Sequence, residues 1–192
     1  MPKSTKKISP RYRLNASLKT KDRITLKKFT KKFPKSIIGV RQIIGELQKI
    51  LVDISKEKRS SKQLREKEYN KSGEAMIAQK KIKVPFRRTN PVYGCHQLSK
   101  ALIVALRSMG IPSKIVRFFP DNESFVLFRL NKELYLAKPF SGDIEKIDAK
   151  KRQQLKLDTK TKLFGIPNLR VKKMDKYNYA DFQSDLKSKP IN

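Results

Sequence analysis

One cysteine and one histidine serve the whole chain of 192 residues. A single cysteine excludes an internal disulfide framework and fits a reducing compartment. One Cys and one His cannot supply the usual ligands of a zinc site, so no metal and no other cofactor is expected. Apolar runs are short as well. None approaches the ~18 residues that argue for a membrane span. The first residues, Met1-Pro2-Lys3-Ser4-Thr5-Lys6-Lys7, carry the charge of a signal peptide but no apolar stretch follows them. Neither a phosphate-binding loop nor a dinucleotide fingerprint occurs. These absences point to a soluble intracellular protein, cytoplasmic or associated with nucleoid or nucleus, that makes no membrane contact.

Acidic residues are also scarce. Seventeen Asp and Glu face 47 Lys and Arg, for a net charge of +30. Lysine-rich surfaces that serve solvation or heat resistance normally carry matching acids. An excess this one-sided says nothing about fold, but it predicts a polyanionic partner, nucleic acid or a ribonucleoprotein.

The charge divides the chain into three parts. Residues 1–35 read as a basic flexible arm, 36–148 as a core with an N-terminal helix and a charged connector, and 149–192 as a basic C-terminal extension. In the arm, Lys27, Lys28, Lys31 and Lys32 cluster within a short basic amphipathic element from Ile24 to Phe33. Ser36 is a plausible cap for a helix running to Ile54, with Ile37, Val40, Ile44, Leu47, Leu51 and Ile54 on one stripe. That helix is expected to pack on the core. Docking a protein partner is the alternative. Lys56 to Lys83 reads as an exposed helix or a connector broken near Ser72-Gly73. Lys80, Lys81, Lys83, Arg87 and Arg88 surround Val84-Pro85-Phe86 in a basic loop. The tail adds Lys172, Lys173 and Lys176 beside Tyr177, Tyr179 and Phe182. Aromatics among lysines can stack on bases or anchor a tail to the core.

The strongest local pattern starts at Gly94-Cys95-His96-Gln97. Leu98, Ala101, Leu102, Ala105, Leu106 and Met109 form an unbroken helical stripe, and Ile103 and Val104 make the helix apolar nearly all round. Gly110-Ile111-Pro112 stops it, because Gly takes the left-handed turn and Pro cannot continue a helix. Strands are expected from Lys114 to Phe119, Phe125 to Leu130 and Leu134 to Ala137, with Asn131-Lys132 as a tight turn. Ile144 to Ile147 adds a short strand, and the stretch from Ala149 to Lys162 begins as helix. The fold class is α+β, with a central Cys-bearing helix on a small antiparallel sheet.

This block, from about Tyr93 to about Phe140, resembles the core of the transglutaminase-like superfamily, a branch of the papain-like cysteine hydrolase folds. Cys95, Arg107 and Gly110-Ile111-Pro112 match in order and spacing, and Ser113-Lys114-Ile115-Val116 resembles the first sheet strand. The family pairs its cysteine with a His on the second strand and an Asp on the third. Here Glu123 or Ser124 stands at the His position and Lys138 at the Asp position.

Two functional readings follow. In one, the domain is catalytically degenerate and serves as a basic nucleic-acid-binding module. In the other, Cys95 is the nucleophile of an amide-bond enzyme (protease, amidase or acyl transferase) and Glu123, its pKa raised by burial, is the proton donor. A helix start favours a thiolate at Cys95, but the apolar stripe favours a core role. His96 is a poor base for its neighbour, because adjacent helix residues point about 100° apart. It is expected at the surface or near the cap. Arg107 is expected to stabilise the helix C-terminus.

Overall fold

In the computed structural model, residues 20–53, 71–84, 92–118, 123–155, 157–163, 166–169 and 180–181 are described. The first of them form helix α1, Thr20–Thr30. Its Leu26 is 0% exposed, and Phe29 and Phe33 pack on the same core. Leu26, Phe29, Thr30 and Phe33 are spaced i, i+3, i+4, i+7, the signature of one buried helix face. Residues 20–35, assigned by sequence to a flexible arm, therefore sit against the core. Residues 1–19 lie outside the described residues.

Ser36 does cap α2, Ile37–Lys49, accepting the Gly39 amide at 3.2 Å. Val40, Ile43, Ile44 and Leu47 are its buried stripe. The helix stops short of the expected Ile54. Leu51–Asp53 instead form strand β1, which pairs in parallel with β2, Ile82–Val84. Pairing to a segment thirty residues away overrides local helical periodicity. Ile54 and the charged stretch 55–70 lie outside the described residues. Ser72 does not break a helix but opens one. It accepts the Ala75 amide at 3.2 Å and caps α3, Gly73–Gln79. A Cβ on Gly73 would stand 2.4 Å from the Lys100 carbonyl oxygen, so glycine is what lets α3 dock.

That docking partner is α4, Val92–Ser108, in which every residue from Gly94 to Arg107 is buried. Its end is a Schellman turn. The Ile111 amide bonds the Leu106 carbonyl at 2.9 Å, the Gly110 amide bonds that of Arg107 at 2.9 Å, and Gly110 has φ +70°. Strands β3 (Ser113–Phe118), β4 (Glu123–Leu130), β5 (Glu133–Lys138) and β6 (Asp143–Lys146) follow. Asn131 and Lys132, at φ 49° and 67°, make the two-residue β4–β5 turn. Both central residues at positive φ is the primed geometry that matches strand twist. Asp148 caps α5, Ala149–Gln154. The chain is then strand rather than helix, with β7 (Leu157–Leu163) paired antiparallel to β8 (Ile166–Leu169). Strand β9, Ala180–Asp181, joins the main sheet, whose order is β6-β5-β4-β3-β9 and whose pairings are all antiparallel.

The architecture is α+β. Strand alternation gives the sheet two apolar faces. Ile115, Val126, Phe128 and Ala137 pack with the helices, while Val116, Phe125, Leu127 and Leu136 meet Ile147 and Leu155 on the other side.

The two glycines of α2 make opposite demands. A Cβ at Gly45 meets nothing within 4 Å, whereas one at Gly39 would fall 1.9 Å from the Pro34 carbonyl oxygen. Gly45→Ala should stabilise the protein by about 1 kcal/mol, raising the melting midpoint by roughly 2–4 °C. Gly39→Ala should lower it. Thermal unfolding of the two variants checks the pair.

Candidate functional site

Cys95 is the fourth residue of α4, within the first turn, where the helix dipole favours a thiolate. Burial wins. The thiol is 5% exposed, and its pKa is pushed up to about 11. Desolvation is the largest cause, and the negative charge of Glu123 adds to it. Backbone hydrogen bonds of Cys95 and Ser124 pull the other way and lose. At pH 7 roughly one molecule in ten thousand carries the thiolate, since each pKa unit is a factor of ten.

A cavity of about 230 Å³ lies beside this thiol. Glu123, Ser124 and Phe125 of β4 form one wall, and Lys138, Pro139, Phe140 and Ser141 form another. The cavity thus unites the three positions singled out in the sequence: Cys95, Glu123 and Lys138. The sheet's alternation sorts them. Ser124 shares the helix-facing side with Val126 and Phe128, and its carbonyl accepts the Ser99 hydroxyl at 3.0 Å. Lys138 lies on the other side, its ammonium 5.5 Å from the Phe125 ring centre. That is a cation–π contact. Among the described residues no ion pair joins Glu123 to Lys138.

His96 is not at the surface. It is 3% exposed, with Nδ1 3.4 Å from the Ser124 hydroxyl oxygen, a long contact. Arg107 does more than balance a helix end. Its Nε and Nη2 both donate to the Ser113 carbonyl, at 3.1 and 2.8 Å, clamping β3 to α4. Its charge and that of Lys100 also act on buried Glu74, whose carboxyl is nevertheless pushed up by desolvation. Glu74 carried no sequence signal, because an acid in a charged stretch reads as solvated.

A turn closes the cavity. Phe140 is 39% exposed and packs so near Gly94 that a Cβ there would lie 3.2 Å from its ring. Gln48 of α2 holds the turn, its Nε2 donating to the Pro139 and Phe140 carbonyls at 2.9 and 3.0 Å.

The basic candidates separate by place. Lys27 and Lys28 are exposed on α1, Lys31 and Lys32 are exposed in the turn that follows it, Lys80 and Lys81 are exposed at the end of α3, and Lys83 is half-buried in β2. Helices α1 and α3 are packed neighbours. Arg87, Arg88, Lys172, Lys173 and Lys176, with Tyr177, Tyr179 and Phe182, lie outside the described residues. Among the described residues no group of His, Cys, Asp or Glu is arranged to hold a metal, and no helix is long and apolar enough to cross a membrane. Comparison with protein families, curated proteins and solved structures finds nothing that matches this chain.

Because Cys95 is the only thiol, alkylation reports on it alone. Iodoacetamide should react slowly at pH 7 and accelerate ~10-fold per unit from pH 8 to 10, following the thiolate. Gln48→Ala should release the turn and raise the rate at fixed pH by about fivefold or more, as expected for a local opening equilibrium. A rate that levels off below pH 8 would contradict the raised thiol pKa.

Proposed function

We propose that this chain is a transglutaminase-like α+β domain whose cysteine site has lost amide chemistry, and that it works as a basic module binding nucleic acid or a ribonucleoprotein. A buried helix with Cys95 in its first turn, a Gly-Ile-Pro stop and an antiparallel sheet in which β3 to β6 lie in sequential order support the fold assignment. The helix-facing residue at the start of β4 is Ser124, a side chain that cannot act as a general base in place of His.

The observation that carries the binding role is the face of α1. Leu26 and Thr30 point inward and leave Lys27, Lys28, Lys31 and Lys32 exposed together. Among the described residues, three acids are paired with nearby lysines. Glu133 meets Lys146 at 2.6 Å, Glu145 meets Lys151 at 3.2 Å and Glu46 meets Lys49 at 2.7 Å. Lys32 lies near enough to Glu46 to help lower its carboxyl pKa, while Lys27, Lys28 and Lys31 join no ion pair among the described residues.

One observation favours the amide-bond enzyme instead: the cavity brings Glu123 close enough to act on the thiol. Its effect runs against that role, because it disfavours the thiolate that a nucleophile needs. If the enzyme reading holds, Cys95→Ser abolishes turnover of a peptide amide and leaves the fold intact.

The binding role is tested by fluorescence anisotropy with labelled nucleic acid and with heparin across 50–300 mM salt. Affinity should fall steeply as salt rises, because each phosphate neutralised releases a counterion. Affinity unchanged across that range would overturn the proposal.

A further inference from the structure

Two opposite charges line the cavity beside Cys95 without meeting each other. Glu123 and Lys138 are both half-buried there, and among the described residues neither joins an ion pair. Register explains the separation. Strands β4 and β5 pair Val126 with Ala137. One step further along, Lys138 falls opposite Phe125, and Glu123 lies two residues beyond Phe125 on the same face. Such diagonal neighbours stand about 7–8 Å apart. Lys138 leans on the Phe125 ring instead, its ammonium 5.5 Å from the ring centre. That contact leaves the hydrogen-bonding capacity of the ammonium for another group.

Apolar surface adjoins both charges. Phe125, Pro139 and Phe140 supply it, and the Cys95 thiol, neutral at pH 7, acts there as a small apolar group. The cavity of about 230 Å³ has the volume of about eight waters, room for a ligand of roughly eight to ten non-hydrogen atoms. A wholly apolar ligand would desolvate two charges and pair neither, and a singly charged one would leave the other unpaired. A small zwitterion with an apolar side chain meets both charges and the apolar wall together. Charge-assisted bonds of about 2.8 Å on each side of such a molecule bridge the diagonal spacing.

We infer that this cavity binds a free α-amino acid with an aliphatic side chain, its carboxylate held by Lys138, its ammonium by Glu123 and its side chain against Phe125 and Phe140. No covalent bond is made or broken. The inference does not depend on the nucleic-acid role: it uses β4 and β5, and that role uses the lysines of α1 and the turn after it.

The probe is free L-leucine, added to the full chain without nucleic acid. Because Cys95 is the only thiol, its alkylation by iodoacetamide reports occupancy of the cavity. Saturating leucine should slow alkylation about fivefold or more and raise the melting midpoint, since a ligand that binds only the folded state stabilises it. A Kd of about 1 mM or tighter is expected for a ligand of roughly nine non-hydrogen atoms. Two analogues each lack one charge: isocaproate has no ammonium, and isopentylamine has no carboxylate. Each should bind about tenfold more weakly than leucine, having lost one charge-assisted bond. Lys138→Gln should weaken leucine and isocaproate about tenfold and leave isopentylamine unchanged, and Glu123→Gln should weaken leucine and isopentylamine and leave isocaproate unchanged. Protection is read as the ratio of rates with and without ligand in each variant, because Glu123→Gln also removes a charge that disfavours the thiolate. Should a variant unfold, the analogue series on the unaltered chain decides.

Alkylation and melting unchanged by about 10 mM leucine, or a singly charged analogue binding as tightly as leucine, would overturn the inference. Stabilisation without protection of Cys95 would place leucine elsewhere and overturn it too. The salt dependence of nucleic-acid binding is measured separately, so either proposal can fail while the other stands.

Discussion

Helix α4 has no exposed side, and the rest of the molecule is arranged to make that tolerable. Between Gly94 and Arg107 it buries a run of apolar residues and, with them, His96, Gln97, Ser99, Lys100 and Arg107. Apolar burial on that scale drives folding, but each buried polar group must find a partner or cost about 1–3 kcal/mol. The solutions define the architecture. Arg107 takes the first carbonyl of β3, and Ser99 takes the Ser124 carbonyl of β4. Glu74 arrives on α3 beside Lys100 and Arg107, through a contact with α4 that only Gly73 permits.

The same burial decides the chemistry. A thiol at a helix start, open to water, would be acidified. Here desolvation outweighs the dipole and carries the thiol to about 11. The cavity beside Cys95 is lined by Phe125, Pro139 and Phe140 together with Glu123, Ser124, Lys138 and Ser141, and no histidine is among them. What made a good core helix made a poor nucleophile. On the outer face of the helical layer, exposed Lys27, Lys28, Lys31 and Lys32 stand over a buried apolar stripe. A net charge of +30 strains the compact state by self-repulsion. Under the proposed binding role, a polyanion would relieve that strain and so stabilise the fold.

Much of the centre was legible in the residues. Leu98 to Met109 announced α4, Gly110-Ile111-Pro112 its Schellman end, and Asn131-Lys132 the β4–β5 turn, because each is a local signal with a local cause. What was missed depended on distant partners. Leu51 and Val52 fit the helical stripe of α2, and only the parallel pairing with Ile82–Val84 makes them strand. Ser72-Gly73 reads as a breaker until Lys100 supplies the surface that needs a glycine. The inward spacing of Leu26, Phe29, Thr30 and Phe33 was present, but the surrounding lysines disguised a packed helix as an arm. At the candidate site, Cys95 and Glu123 were found together as their order suggested. The burial of His96 was not foreseen, since a polar residue beside a helix start usually faces water.

Helix α1 is a fixed part of the core in the unbound protein, packed through Leu26 and Phe29, so its lysines form a preformed surface. Amide hydrogen exchange of the free chain tests this most directly. Amides from Ile24 to Thr30 should be protected to within about a hundredfold of those in α4, reflecting shared sub-global opening. Exchange of α1 at random-coil rates, with protection gained only after nucleic acid is added, would mean that the helix folds on its ligand rather than on the core.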